Sequence, residues 1–127
     1  MRHQSAPRPR QELTGQRVLL VEDEALVAML VEDSLQDAGA TVLGPASTVD
    51  EALALIETGG VDAAVLDLNL RGEPVTRVAD RLEAMKVPFV ITTGYGAECA
   101  AAQYVDAPML QKPFDLARLT SALVAII

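Results

Sequence analysis

Residues 63–70 read Ala63-Ala64-Val65-Leu66-Asp67-Leu68-Asn69-Leu70, an apolar run that ends on a carboxylate. Apolar residues in succession, without polar alternation, describe a short strand buried on both faces, which favours a parallel sheet over an antiparallel one that is open to water. The same pattern recurs at Val18-Leu19-Leu20-Val21, Thr41-Val42-Leu43 and Phe89-Val90-Ile91-Thr92, and more weakly at Met109-Leu110. Between these runs the apolar spacing becomes helical. Leu26, Val27, Leu30, Val31 and Leu35 form one stripe, and Val75, Val78, Ala79 and Leu82 form another. Thr48 and Glu51 stand at capping-box spacing ahead of a helix that Gly59-Gly60 ends. Asp115 is placed to cap the last helix, Phe114 and Leu119 to staple it, and Leu116, Leu119, Leu123 and Ile127 to continue its apolar face. Pro74 suits the first turn of the helix after the Asp67 strand. Residues 97–105, with an alanine run at 100–102 and only Tyr104 and Val105 as large anchors, predict the least stable helix.

Strands and helices in alternation give an α/β fold with a doubly wound five-stranded parallel sheet, because right-handed crossovers place helices on both faces. With 127 residues, 50% hydrophobic and 22% charged, the chain holds one domain and one core. Residues 1–16 are polar, contain Pro7 and Pro9 and have no apolar period, so they read as a flexible arm ahead of a domain at 17–127.

Composition removes several chemistries. The only histidine, His3, lies in the arm, which leaves no histidine base or His-ligated metal in the domain. The single thiol, Cys99, cannot form an internal disulfide and reads as a small apolar filler. The formal net charge is −8, and Arg2, Arg8, Arg10 and Arg17 sit at the N-terminal end, so the domain itself is more acidic still. Such a surface repels a phosphate backbone, and nucleic acid is not an expected partner. No apolar run approaches the length of a membrane span or a secretory signal, so a cytoplasmic protein without membrane contact is expected.

In a doubly wound sheet, ligands sit beyond the carboxyl ends of the strands, where strand order reverses. Glu22 and Asp23 follow the first run, Asp67 the third, Thr93 the fourth and Lys112 the fifth. In the order 2-1-3-4-5 the first and third strands are neighbours, which crowds three carboxylates at one edge. Their repulsion calls for a cation. A hard divalent ion taking oxygen ligands suits Asp23 and Asp67 with the backbone carbonyl of Asn69, and magnesium is the expected ion.

These residues resemble a known family. Val21-Glu22-Asp23, Leu66-Asp67-Leu68-Asn69-Leu70, Thr92-Thr93-Gly94 and Lys112-Pro113-Phe114, in that order, are similar to the response-regulator receiver domains of two-component signalling, over residues 17–127. Pro88-Phe89-Val90-Ile91-Thr92-Thr93-Gly94-Tyr95 is further similar to a subgroup of stand-alone receivers with a Pro-Phe-x-x-x-Thr-Gly-Tyr signature.

The resemblance implies a flavodoxin-like (βα)5 fold and a phosphoacceptor that catalyses its own phosphorylation and dephosphorylation without being a conventional enzyme. Asp67 would take the phosphoryl group from a sensor histidine kinase or a histidine phosphotransfer protein and pass the signal to an unknown downstream protein. Asp23 would bind Mg2+ directly and Glu22 directly or through water, with Asp67 and the Asn69 carbonyl completing the metal site. Thr93, rather than its neighbour Thr92, would bond a phosphoryl oxygen, and Lys112 would place its charge on the same group, aimed by a cis peptide before Pro113. The amides of residues 68, 69 and 94 would add phosphate donors.

Two departures stand out. Arg71-Gly72-Glu73-Pro74 replaces the usual acceptor-loop turn, and Met109 stands where many members carry a switching aromatic, so Tyr95 and Tyr104 beside the 97–105 helix become the expected output region. Lys86 reads as solvated. Three rival readings differ in class: an excised receiver of a hybrid kinase, a pseudo-receiver binding module, and a haloacid-dehalogenase-like phosphatase. The last is disfavoured because its general-acid aspartate would fall at Asn69.

Overall fold

The computed structural model describes residues 12–94 and 107–127. In chain order its elements are β1 (Arg17–Val21), α1 (Ala25–Asp37), β2 (Thr41–Ala46), α2 (Val49–Glu57), β3 (Ala63–Asp67), β4 (Asn69–Leu70), β5 (Glu73–Pro74), α3 (Thr76–Ala84), β6 (Phe89–Thr93), β7 (Met109–Gln111) and a final helix, Leu116–Ile126. Five parallel strands form the main sheet in the order β2-β1-β3-β6-β7, which is the expected 2-1-3-4-5 order of the flavodoxin-like (βα)5 fold.

Every residue of β3 and β6 is buried, as strands covered on both faces require. Alternate side chains feed two cores. Leu19, Leu66 and Ile91 pack with Ile56 and Leu82 on the α2–α3 side, while Leu20, Val65 and Val90 pack with Val31, Leu35, Leu119 and Leu123 on the side of α1 and the final helix. Each such leucine or isoleucine contributes about 1.5–3 kcal/mol by leaving water. The register pairs Val21 with Leu66 and Asp67 with Thr92, so β1, β3 and β6 reach one edge of the sheet together. That edge collects the polar residues.

Several caps match the sequence. Thr48 Oγ1 accepts from the Glu51 N–H at 3.1 Å, Asp115 Oδ1 accepts from the Ala117 N–H at 2.8 Å, and Gly59 and Gly60 follow α2 at φ 82° and 80°. The reciprocal half of the capping box is displaced by one residue. Glu51 accepts from the N–H and hydroxyl of Ser47, at 2.8 and 2.9 Å, and these bonds hold its carboxyl below its ordinary pKa.

Other expectations are corrected. Pro74 lies in β5, not in the first turn of α3, because Arg71 and Gly72 both take positive φ and close a two-residue hairpin pairing Asn69 with Pro74. In α1 the buried residues are Ala28, Val31 and Leu35, whereas Leu26 and Leu30 of the expected stripe are exposed together with Met29. Ile127 is exposed, and the apolar face of the final helix ends instead with Val124 and Ile126, which pack partly buried against the second cluster. The arm expected through residue 16 overlaps the packed core, since Leu13 is fully buried in the second cluster and its N–H donates to the Ala38 carbonyl at 2.9 Å. The rest of that arm, with His3, and the segment with Tyr95, Cys99, Tyr104 and the 97–105 helix lie outside the described residues.

Candidate functional site

Strand ends place each polar side chain. Glu22 follows β1, and its N–H donates to the Ala46 carbonyl at 2.9 Å, which extends the β1–β2 pairing and draws the residue inside. Asp67 is the last residue of β3, and its Oδ1 accepts from the Asn69 N–H at 3.2 Å. Lys112 follows β7, its N–H donates to the Thr93 carbonyl at 2.7 Å, and the peptide joining it to Pro113 is cis.

These placements converge on one ammonium. Lys112 Nζ lies 3.0 Å from Glu22 Oε1, 2.9 Å from Glu24 Oε1 and 3.0 Å from Asp67 Oδ2. The carboxylates of Glu22 and Asp67 are almost wholly buried, with side-chain exposures of 3% and 7%, but that of Glu24 is 61% exposed. Burial, reinforced by the hydrogen bond with Asp67, raises the Glu22 pKa to about 7 against the opposing pull of Lys112. For Lys112, burial favours the neutral amine, yet hydrogen bonds to Glu24, Glu22 and Asp67 outweigh it and hold the pKa above the ordinary lysine value.

The other expected residues surround this cluster in different ways. Asp23 Oδ2 accepts from the Arg71 N–H at 2.9 Å and lies 4.0 Å from Arg71 Nε, which ties the end of β1 to the β4–β5 hairpin. Asn69 is exposed, and its Oδ1 accepts from the Gly72 N–H at 2.7 Å. Thr93 is buried at 6% exposure. Its neighbour Thr92 is the register partner of Asp67, and the buried Thr92 Oγ1 has no hydrogen-bond partner among the described residues. The Leu68 N–H donates to the Thr92 carbonyl at 2.9 Å, which removes it from the expected phosphate donors.

Glu24 is the residue that the sequence reading passed over. The signal was present in the run Glu22-Asp23-Glu24, three acids in succession at a strand end. Carboxylate oxygens of Glu22, Glu24 and Asp67 all lie within 4.8 Å of one another. Asp23 stands outside that set. A donor set made only of oxygens, much of it buried, suits a hard divalent cation, so the residues present fit a metal of the magnesium class.

A model of the response regulator receiver domain matches residues 18–124. The chain belongs to that family. The receiver is 45% identical to SdrG of Sphingomonas melonis Fr1, whose solution structure superposes with a TM-score of 0.78 over 87% of this chain and 95% of that one. It is 46% identical to SdrG from Pseudomonas melonis Fr1 in the BeF3-activated conformation, with a TM-score of 0.72 over 85% of this chain and 95% of that one. It is also 34% identical to the transcriptional regulatory protein TcrA of Mycobacterium tuberculosis over 122 residues, 90% of this chain and 47% of that protein. The receiver thus spans about half the length of the curated relatives it matches. Receivers serve phosphorelay signalling and are not conventional enzymes, since phosphorylation and dephosphorylation occur on the domain itself.

Proposed function

We propose that Asp67 accepts a phosphoryl group from the phosphohistidine of a sensor kinase or phosphotransfer protein, and that the change at Asp67 alters contact with a downstream protein. The observation that carries this reading is the pair formed by Asp67 and Lys112, 3.0 Å apart at the carboxyl edge of the sheet and nearly closed to water. A carboxylate there is a nucleophile, and the transferred group arrives beside a fixed positive charge that counters its own. In the transfer an Asp67 oxygen forms the bond to phosphorus while the phosphorus–nitrogen bond breaks, leaving the donor imidazole. Lys112 then donates to a phosphoryl oxygen. Thr93, buried at the end of β6, supplies a hydroxyl to the same group and favours the conformer in which it reaches it.

Glu22 and Asp67, the buried pair of the oxygen set, would hold the divalent ion, joined by Asp23 once its carboxylate turns from Arg71 and by the Asn69 carbonyl. Magnesium supplies charge neutralisation for a phosphoryl group entering an acidic pocket. Access for the donor is on the α1 side. A cavity of about 470 Å³ lined by Val27, Leu30, Val31, Lys112 and Phe114 opens beside the cluster, and α1 also exposes Leu26 and Met29. A helix presenting histidine to Asp67 would bury its apolar residues on that face.

The test is transfer from a histidine kinase or phosphotransfer protein charged with labelled phosphate. Label should move to the wild-type chain in the presence of magnesium and should fail to move to Asp67→Ala. Equal labelling of the variant would place the acceptor elsewhere, and would remove the basis of this reading.

A further inference from the structure

An ammonium has three donors, and in Lys112 three carboxylates take them. If Asp67 carries a phosphoryl group, Lys112 can reach it only by giving up one of those partners. Glu22 is fixed: it is buried, it accepts the Glu24 N–H at 3.1 Å, and its own N–H is tied to Ala46 at 2.9 Å. Asp67 is the residue modified. Glu24 is the replaceable one, because its carboxylate is mostly in water and re-hydrates at small cost.

Glu24 has a second position available. It is the N-cap residue of α1, its carbonyl accepts the Ala28 N–H at 2.9 Å, yet its side chain makes no capping bond because it reaches to Lys112. The first turn of α1 contains no other acidic side chain, so the positive end of that helix has no carboxylate of its own.

We infer that Glu24 is a positioning residue for Lys112: it holds the ammonium between Glu22 and Asp67 before phosphorylation, and yields its place to a phosphoryl oxygen afterwards. This rests on Asp67 being the acceptor. The released carboxylate is left at the N-terminus of α1, where it can accept from the first-turn N–H groups. The exchange carries the event at Asp67 to α1, the helix that exposes Leu26, Met29 and Leu30.

The probe is beryllofluoride, a phosphoryl analogue, titrated with magnesium fixed. Without the competing carboxylate, Glu24→Ala should bind it about 1.4- to five-fold more tightly, the range for one exposed charge pair, and Glu24→Gln, which keeps an acceptor but loses the charge, should fall between. Loss of a negative charge near an anion would tighten binding by itself, so the same substitution is made in a Lys112→Met background. There the gain should disappear. A gain that persists without Lys112, or no gain in the wild-type background, overturns the role of Glu24. A second readout needs no metal: the ¹⁵N-resolved NMR signal of the Lys112 ammonium should shift in Glu24→Ala, and an unmoved signal would also overturn it. Failure of the underlying reading looks different, since beryllofluoride would then bind neither the wild type nor the Glu24 variants in a manner dependent on Asp67.

Discussion

Glu22 and Asp67 are two buried carboxylates sharing one ammonium, and the raised pKa of Glu22 makes stability depend on pH. Its pKa is raised from 4.5 to about 7, so between those values the folded chain holds a proton that the unfolded chain has lost. Stability from this group is therefore fully present at low pH and disappears as pH rises through 7. In the absence of divalent ions the melting temperature should fall between about pH 5 and pH 7.5 through this group, and Glu22→Gln, which cannot titrate, should flatten that part of the profile. An identical slope in wild type and variant would contradict the environment assigned to Glu22. The convergence of Glu22, Asp67 and Lys112 was legible at this scale, because each ends or follows a strand and carries a distinctive chemical type. Glu24 was passed over, because the second and third acids of the run after β1 carry the same signal and only the folded chain says which of them turns to Lys112.

Elements were legible where apolar runs were short and unbroken, as in β1, β3 and β6, and less so where neighbouring signals competed. In α1, Leu26, Met29 and Leu30 are as apolar as the buried Val31 and Leu35, so hydrophobicity alone could not say which side meets the sheet. Pro74 carries the signal of a first helical turn, but the Arg71-Gly72 hairpin consumes that position. The apolar run Thr41-Val42-Leu43 covers only the first half of β2. The strand continues to Ala46, with Gly44 at φ 102°. A Cβ on Gly44 would stand 2.7 Å from the Ala46 nitrogen and 2.8 Å from the Leu20 carbonyl oxygen, both backbone atoms. Gly44→Ala should therefore destabilise the fold by about 1–3 kcal/mol from the backbone conformation alone, read as a lowered denaturant midpoint. An unchanged midpoint would mean that β2 does not pass Leu20 in this way.

For the molecule as a whole, the topology explains why one edge becomes a site: parallel strands of matched register deliver their carboxyl ends together, and β1, β3, β6 and β7 supply acids, hydroxyls and an ammonium to the same place. No helix among the described residues is long and apolar enough to cross a membrane. Crowded carboxylates also make the folded chain a better cation ligand than the unfolded one. Magnesium at ten times its dissociation constant should stabilise the wild type by about 1.4 kcal/mol, and the thermal shift should shrink in Asp23→Ala and in Asp67→Ala. Equal shifts in all three proteins would take the metal away from this edge.

The claim on which the rest depends is that Asp67 becomes an acyl phosphate. Borohydride reduces such a group to an alcohol, converting a phosphorylated aspartate into homoserine that peptide mass spectrometry can locate. The chain would be incubated with magnesium and acetyl phosphate, reduced, digested and mapped, beside a sample with EDTA. Homoserine at position 67, present with magnesium and absent with EDTA, is the predicted result. Homoserine at another aspartate, or at none in the presence of magnesium and donor, would contradict it.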